Sequence, residues 1–145
     1  MLIHNEIRKE VITLLRDNFP DIPYFYNGRA NFINVEDSLP AVSVALDNAE
    51  CQCVALGGIM EWEADLIISF FIPLKEKEEK LDTLSENITK LIFKNSYRNI
   101  GRVKPEFQYQ YDYDEQQFIW TAATLTFHIE YARENYFDDH YKNGD

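Results

Sequence analysis

The segment from residue 61 to residue 73 constrains the fold of this chain more than any other. Apolar side chains occupy every second position along it: Trp62, Ala64, Leu66, Ile68, Phe70 and Ile72. Since successive side chains of a strand point to opposite faces of a sheet, this period of two predicts a long strand with one buried face. The acidic residues Glu61, Glu63 and Asp65 fall on the other face. Ile67 and Phe71 indicate that this second face is partly covered as well.

Two amphipathic helices and four further strands are predicted around this segment. Apolar residues at three- and four-residue steps place one helix over residues 4–18 and another between the charged run at 75–80 and residue 92. Alternating apolar residues predict strands at 24–26, 41–46, 107–113 and 119–131, the last two as an antiparallel hairpin. We expect loops at 29–38, 47–60 and 95–105. The second of these is a long hairpin or arm suited to contact a partner.

The order of these elements predicts the fold class. Helix, strands, helix and strands indicate an α/β (α+β) protein with two layers, in which a mixed or antiparallel sheet carries both helices on one face. The length of 145 residues favours a single domain, which we place at 1–132 and follow with a polar tail at 133–145. Aromatic side chains alternate along the 107–113 strand, a pattern more typical of core than of a ligand platform: Phe107, Tyr109, Tyr111 and Tyr113.

Composition and charge exclude several classes of function. Hydrophobic residues make up 46% of the chain, enough for a folded core, and no apolar run is long enough to span a membrane. The first residues lack the basic and apolar parts of a signal peptide, so we expect synthesis in the cytoplasm. Duplex-binding proteins neutralise phosphates with Lys and Arg. The formal net charge of −11 therefore predicts no nucleic-acid binding and favours a basic protein partner.

The residues themselves indicate no catalytic, cofactor or metal site. No phosphate-cradling glycine loop occurs, and His4, His128 and His140 are not spaced as metal ligands. Glu61, Glu63 and Asp65 share a strand face where they could hold a divalent cation, although a solvated face is the favoured interpretation. We therefore predict that the chain is not an enzyme. A ligand domain that uses the face of the aromatic strand is the remote alternative.

Five short motifs stand out along the chain. The last consists of Tyr111-Asp112-Tyr113, an acidic turn and Trp120-x-x-Ala123-x-Leu125-Thr126-Phe127-x-Ile129-x-Tyr131. The other four are Trp62-x-Ala64-x-Leu66-x-Ile68-x-Phe70-x-x-Pro73, Leu39-Pro40-Ala41-Val42-x-Val44, Phe25-Tyr26-Asn27-Gly28-Arg29 and His4-x-Glu6-Ile7-Arg8. In this order they resemble the lambda-like phage minor tail protein U family, the tail terminators, whose carboxyl-terminal hairpin is similar to the last motif. The likeness covers residues 3–132. This chain departs from the family in a longer 95–107 region and in its tail.

The resemblance implies a structural role without reaction or cofactor. Members of this family form a hexameric ring on the tip of the growing tail, where the ring stops polymerisation of the major tail tube protein. The ring then offers a surface to the head completion or connector protein. Its expected location is the tail of the virion, after synthesis in the host cytoplasm. The acidic composition suits a ring through which DNA passes without binding. The alternative is a head–tail connector or tail-completion adaptor.

A closed ring joins one patch of each subunit to a different patch of the next. The basic patch is predicted to contain Arg29, Arg98 and Arg102. The acidic patch is predicted to contain Glu61, Glu63 and Asp65, or else Asp112 and Asp114.

Overall fold

A computed structural model describes residues 2–30, 36–53, 59–76 and 78–134 of the chain. The helices are α1 (Leu2–Asn18) and α2 (Glu78–Lys94), with a short 3-10 turn at Glu36–Ser38. The strands are β1 (Tyr24–Asn27), β2 (Ala41–Cys53), β3 (Ile59–Pro73), β4 (Arg102–Tyr113) and β5 (Trp120–Glu134). They form one five-stranded sheet in the order β1-β2-β3-β5-β4.

The central position of β3 follows from its sequence. It pairs antiparallel with β2 on one side and with β5 along its whole length on the other. Its even-numbered residues from Ala64 to Ile72 are buried, whereas Glu61 and Glu63 are exposed. β1 joins the sheet parallel to β2, and β4 forms the predicted antiparallel hairpin with β5. The prediction of a mixed sheet is confirmed.

Both helices pack on the same face of this sheet. The buried stripe of α1 consists of Ile3, Ile7, Val11, Ile12 and Leu15. The buried stripe of α2 consists of Leu81, Ser85, Ile88 and Ile92. Both stripes join the inward side chains of β2, β3 and β5 in one apolar cluster. Each helix therefore buries the side that its 3.6-residue period predicted.

The 47–60 segment contains more strand than the sequence predicts. β2 continues to Cys53 and β3 starts at Ile59, so much of the expected arm belongs to a two-stranded ribbon. The register shifts between Asp47 and Glu50, where Asn48 has a φ of 52°. This bulge interrupts the period of two, which explains why the sequence predicts the end of β2 too early. The tip of the ribbon at 54–58 lies outside the described residues.

The predicted 95–105 loop is wrong at its carboxyl-terminal end, because β4 already begins at Arg102. A register shift between Val103 and Phe107 surrounds Pro105. Proline cannot donate a ladder hydrogen bond, and the shift adds two residues to β4 that have no counterpart in β5. The first part of this edge strand therefore resembles a loop in sequence.

The aromatic stripe of β4 is not the core element that its spacing predicts. Phe107 is 41% exposed, Tyr111 44% and Tyr113 43%. Only Tyr109 is half-buried against the core. These side chains lie over the flank of α2, where Tyr109 and Tyr111 donate to Asp82 and Tyr113 donates to Glu78. An edge strand has neighbours on one side alone, which leaves half of each ring in water.

Three predicted features fall on residues that the structure does not describe. They are residues 31–35 of the predicted 29–38 loop, the tip of the β2–β3 ribbon, and most of the polar tail at 133–145.

Candidate assembly surface on the open face of the sheet

The face of the sheet opposite the helices is open within the described ranges. Residues that pair directly across neighbouring strands point to the same face. The open face therefore carries the odd-numbered side chains of β3 and the even-numbered ones of β5. Its chemistry differs between its two ends: one end is charged and the other is mostly apolar.

The charged end contains the acidic residues predicted from β3. We call it the charged cluster and define it as Glu61, Glu63, Asp65, Arg102, Lys104, His128 and Glu130. The Lys104 Nζ lies 3.2 Å from Glu63 Oε1 and 3.6 Å from Glu130 Oε1. The hydrogen bond to Glu63 raises the pKa of Lys104 above its usual value, because it favours the charged ammonium. Arg102 Nη1 lies 3.9 Å from Glu130 Oε1 and is mostly exposed.

Asp65 is held by partners in its own chain. Its Oδ1 lies 2.6 Å from His128 Nδ1, and its Oδ2 accepts a hydrogen bond of 2.9 Å from the Asn48 side chain. Asn48 reaches Asp65 because the bulge turns that part of β2. Asp65 is therefore a structural link between β2, β3 and β5.

The other end of the open face holds an aromatic pair beside an arginine. Phe71 and Trp120 meet edge to face, with ring centroids 5.2 Å apart. A shallow depression of about 460 Å³ runs from these rings to Arg29. Gly28, which precedes Arg29, has a φ of 99° and donates to the Val44 carbonyl at 2.7 Å. A φ in this range favours glycine, as expected from the Asn27-Gly28 turn.

The remaining predicted site residues lie apart from the charged cluster. Arg98 is exposed in the loop after α2, where its backbone amide donates to Glu10 Oε2 at 2.6 Å. Asp112 is exposed on β4 at the far end of the sheet. Asp114 is buried in the β4–β5 turn and accepts three hydrogen bonds from backbone amides, those of Gln116, Gln117 and Ile119. These amides lower the pKa of Asp114, because they stabilise the carboxylate.

The structure thus brings a predicted basic residue onto the same surface as the predicted acidic ones. Arg102 joins Glu61, Glu63 and Asp65 in the charged cluster, whereas Arg29 and Asp112 lie towards the other end of the open face. Arg98 and Asp114 lie in loops. Sequence reasoning did not include Lys104, Glu130 or His128 in this site. In the sequence these three residues only alternate with the buried residues of β4 and β5. Such alternation indicates which face of the sheet a side chain lies on, but not which residues of other strands lie beside it.

Cys51 and His128 are not placed to act together. Cys51 pairs with Trp62 on the side of the sheet that faces the helices, while His128 lies on the open face. A thiol and an imidazole on opposite faces cannot act as nucleophile and base. Across the parts of the chain that the structure describes, no group of three or more His, Cys, Asp and Glu residues is placed to share a metal ion. Within those same parts, no helix is long and apolar enough to cross a membrane.

Two comparisons assign the chain to a class of protein. The sequence model of the phage minor tail protein U family matches residues 2–131. Since the match covers nearly the whole chain, the protein belongs to this family of structural tail proteins, as the sequence motifs indicated. Among its relatives is the tail tube terminator protein of Escherichia phage lambda. The two are 28% identical over 130 residues, which are 88% of this chain and 97% of the lambda protein.

Proposed function

We propose that this protein terminates the phage tail. In this role it caps the finished tail tube as a hexameric ring, stops polymerisation of the major tail tube protein and provides the surface that the head completion or connector protein joins. It is made in the host cytoplasm and stays in the tail of the virion.

One observation carries the proposal. The match to a tail tube terminator extends over 97% of that relative's length and 88% of this chain, and the family model spans residues 2–131, from the start of α1 into β5. A match confined to one motif would support only a shared fold. The two exposed edges of the sheet and its uncovered face also suit a protein whose task is association.

The charge of the chain fits the same role. A tail terminator surrounds the path of DNA, and a net charge of −11 disfavours binding to phosphates. We propose an acidic bore for this reason. A ring structure with a basic bore would contradict it.

Subunit contacts in the proposed ring use the exposed members of the predicted patches. Glu61, Glu63 and Arg102 on the open face and Asp112 on β4 remain candidates, as do Arg29 and Arg98. Asp65 and Asp114 already bond within their own chain, so we propose that they shape the surface rather than reach across it. Exposed ion pairs contribute only about 0–1 kcal/mol each, so these charges select the partner more than they hold it.

The decisive experiment deletes the gene from the phage or prophage that encodes it. Tail lengths are measured by negative-stain electron microscopy, and a plasmid copy of the gene serves as the complementation control. Termination predicts abnormally long tubes beside unjoined filled heads, with normal lengths restored by the plasmid. Tails of normal length that fail to join heads would assign the protein to the head–tail connectors or tail-completion adaptors instead. Intact infectious particles would refute a role in the virion.

A further inference from the structure

The outer strands of the sheet are β1 and β4. The registers of the strands between them show which residues of β1 and β4 lie at the same height, that is, at the same level along the strand direction. One row of paired residues crosses all five strands: Tyr24, Ala41, Phe71, Ala122 and Asp112. Tyr24 is 40% exposed and Asp112 is exposed too. The two edges therefore present a phenol and a carboxylate at one height and on the same face.

A second row lies nearer the charged cluster and crosses four strands: Glu50, Glu63, Glu130 and Arg102. Among the described residues, β1 pairs with β2 only from Ala41 to Val44, so the described sheet steps back by one strand at the height of this row. At that height the β2 side carries exposed Asp47 and Glu50, with Arg29 lining the same depression as Asp47, and the β4 side carries Arg102 and Lys104. Opposite charges thus stand at opposite edges.

Strand direction is compatible with an edge-to-edge junction. β1 runs parallel to β2, which is antiparallel to β3. β5 is antiparallel to β3, and β4 is antiparallel to β5. β4 therefore runs opposite to β1. When two copies stand side by side with the same orientation, β4 of one meets β1 of the next as an antiparallel pair, the arrangement that a sheet ladder accepts.

The symmetry of a ring restricts the register of such a junction. In a ring closed by rotation alone, equivalent atoms of all subunits lie at one height along the axis. If β1 and β4 run along that axis where they meet, without the stagger that tilted strands bring, each row of one subunit continues into the same row of the next. We infer that β4 of each subunit lies antiparallel against β1 of its neighbour in the ring of the proposed function, on which this inference rests. In this arrangement Asp112 lies opposite Tyr24. Arg102 and Lys104 face Asp47 and Glu50 of the neighbour across the space beyond the end of β1.

The chemistry of the second row supports this contact. Arg102 lies 3.9 Å from Glu130, and a guanidinium has five donors, so it can also serve a carboxylate of the neighbour. Within each chain, Glu50 lies opposite Glu63, which lies opposite Glu130. Like charges directly opposite one another repel. A neighbour's Arg102 relieves this repulsion for Glu50 in the same way as Lys104 relieves it for Glu63 and Glu130.

Disulfide trapping tests the register directly. The pair Tyr24→Cys and Asp112→Cys is introduced into one full-length chain, together with Cys51→Ser and Cys53→Ser. Within a chain, four interstrand steps of about 4.8 Å separate the two positions by about 19 Å. A disulfide needs Cα atoms within about 7 Å, so these cysteines can bond only between subunits. The control pair combines Tyr24→Cys with Arg102→Cys. Arg102 lies about 30 Å from Asp112 along β4, so in the inferred register its cysteine cannot reach the one at position 24 of the neighbour.

The samples are tails from a deletion strain complemented with each variant, oxidised and run on non-reducing gels. The expected result for Tyr24→Cys with Asp112→Cys is a ladder of linked chains that ends at six, while the control pair stays monomeric. Tails of normal length without a ladder would overturn the edge contact and leave termination intact. Equal ladders from both pairs would overturn the register. Termination itself is tested separately, by tail length in the deletion strain.

Charge reversal tests the second row by another route. Glu50→Arg and Arg102→Glu should each reduce the fraction of normal-length tails several-fold, because every junction in the ring then opposes like charges. The double variant should restore that fraction. The control is Lys90→Glu, which reverses an exposed charge on α2 and should have no effect. Failure of the double variant to recover, with each single variant folded by circular dichroism, would overturn the pairing.

Discussion

Phe127 at the centre of β5 should be the most costly single aromatic side chain to remove. Its side chain is completely buried, and its ring lies 5.6 Å from each of two neighbours, Phe93 and Phe107. Truncation of a buried phenylalanine to alanine costs about 3–5 kcal/mol, through lost transfer free energy and the cavity left behind. Since Phe127→Ala also removes two aromatic contacts, we expect about 4 kcal/mol. This is a large part of the roughly 5–15 kcal/mol by which a domain is stable.

Urea unfolding followed by tryptophan fluorescence measures this loss. At about 3 °C for each kcal/mol, the melting temperature should fall by about 12 °C. Phe107→Ala is the matched control. Phe107 has the same side chain but lies on the edge strand and is 41% exposed, so its truncation should cost only about 1–2 kcal/mol. Equal losses in the two variants, or a loss below about 2 kcal/mol for Phe127→Ala, would refute the ranking of core over edge.

Three further predictions concern titratable groups. Asp114→Ala should lower the melting temperature more at pH 7 than at pH 3. The lowered pKa of Asp114 stabilises the fold above the unfolded pKa of 3.8, and this stabilisation is lost as the pH falls through the folded pKa; an equal effect at both pH values would contradict this. His4 is hydrogen-bonded to the Tyr131 hydroxyl at 2.6 Å, and burial lowers its pKa from 6.5 by favouring the neutral ring, so stability should fall as pH drops through 6.5. His4→Gln should flatten that dependence in melting curves, and an unchanged slope would assign it to another group. Asp82→Asn should bring the titration of Tyr111 to lower pH in ultraviolet absorbance, because the hydrogen bond to Asp82 raises that pKa, and an unshifted titration would refute the bond.

The parts of the fold with an uninterrupted period could be predicted from sequence. β3 and β5 alternate without a break, and both helices keep their apolar stripe over 17 residues each. The errors occur where the period is broken. Asn48 and its bulge conceal the end of β2, and Pro105 conceals the beginning of β4. In β2 one extra residue exchanges the two faces of the strand, which a pattern of alternation cannot follow. In β4 two extra residues around Pro105 leave the faces unchanged but interrupt the ladder.

The candidate surface was predictable only within single strands. Glu61, Glu63 and Asp65 share a face because of their spacing alone, and the structure places them so. Their neighbours depend on which strand lies beside β3, and in this sheet it is β5 rather than β4. The contacts of Glu63 with Lys104 and of Asp65 with His128 follow from that order, which is a property of the tertiary fold. The interface roles of these residues stay predictions.

The aromatic stripe of β4 also shows that burial depends on the tertiary fold. Its spacing is as regular as that of β5, yet Tyr111 and Tyr113 are exposed because β4 is the last strand of the sheet. Periodicity reports that a strand has two different faces. The extent to which either face is buried depends on the position of the strand in the sheet.

Pro105 also bears on how the chain stays dispersed before it reaches a tail. A long, flat outer strand invites copies to add one after another without limit, as in amyloid fibrils. In β4 the missing amide of Pro105 and the surrounding bulge break the ladder between Val103 and Phe107, so the regular edge is shortened to residues 107–113. A bulge also bends and twists a strand, which makes this edge a poorer template for a further copy. We therefore expect the proline that conceals the start of the strand in the sequence to act as a gatekeeper against aggregation.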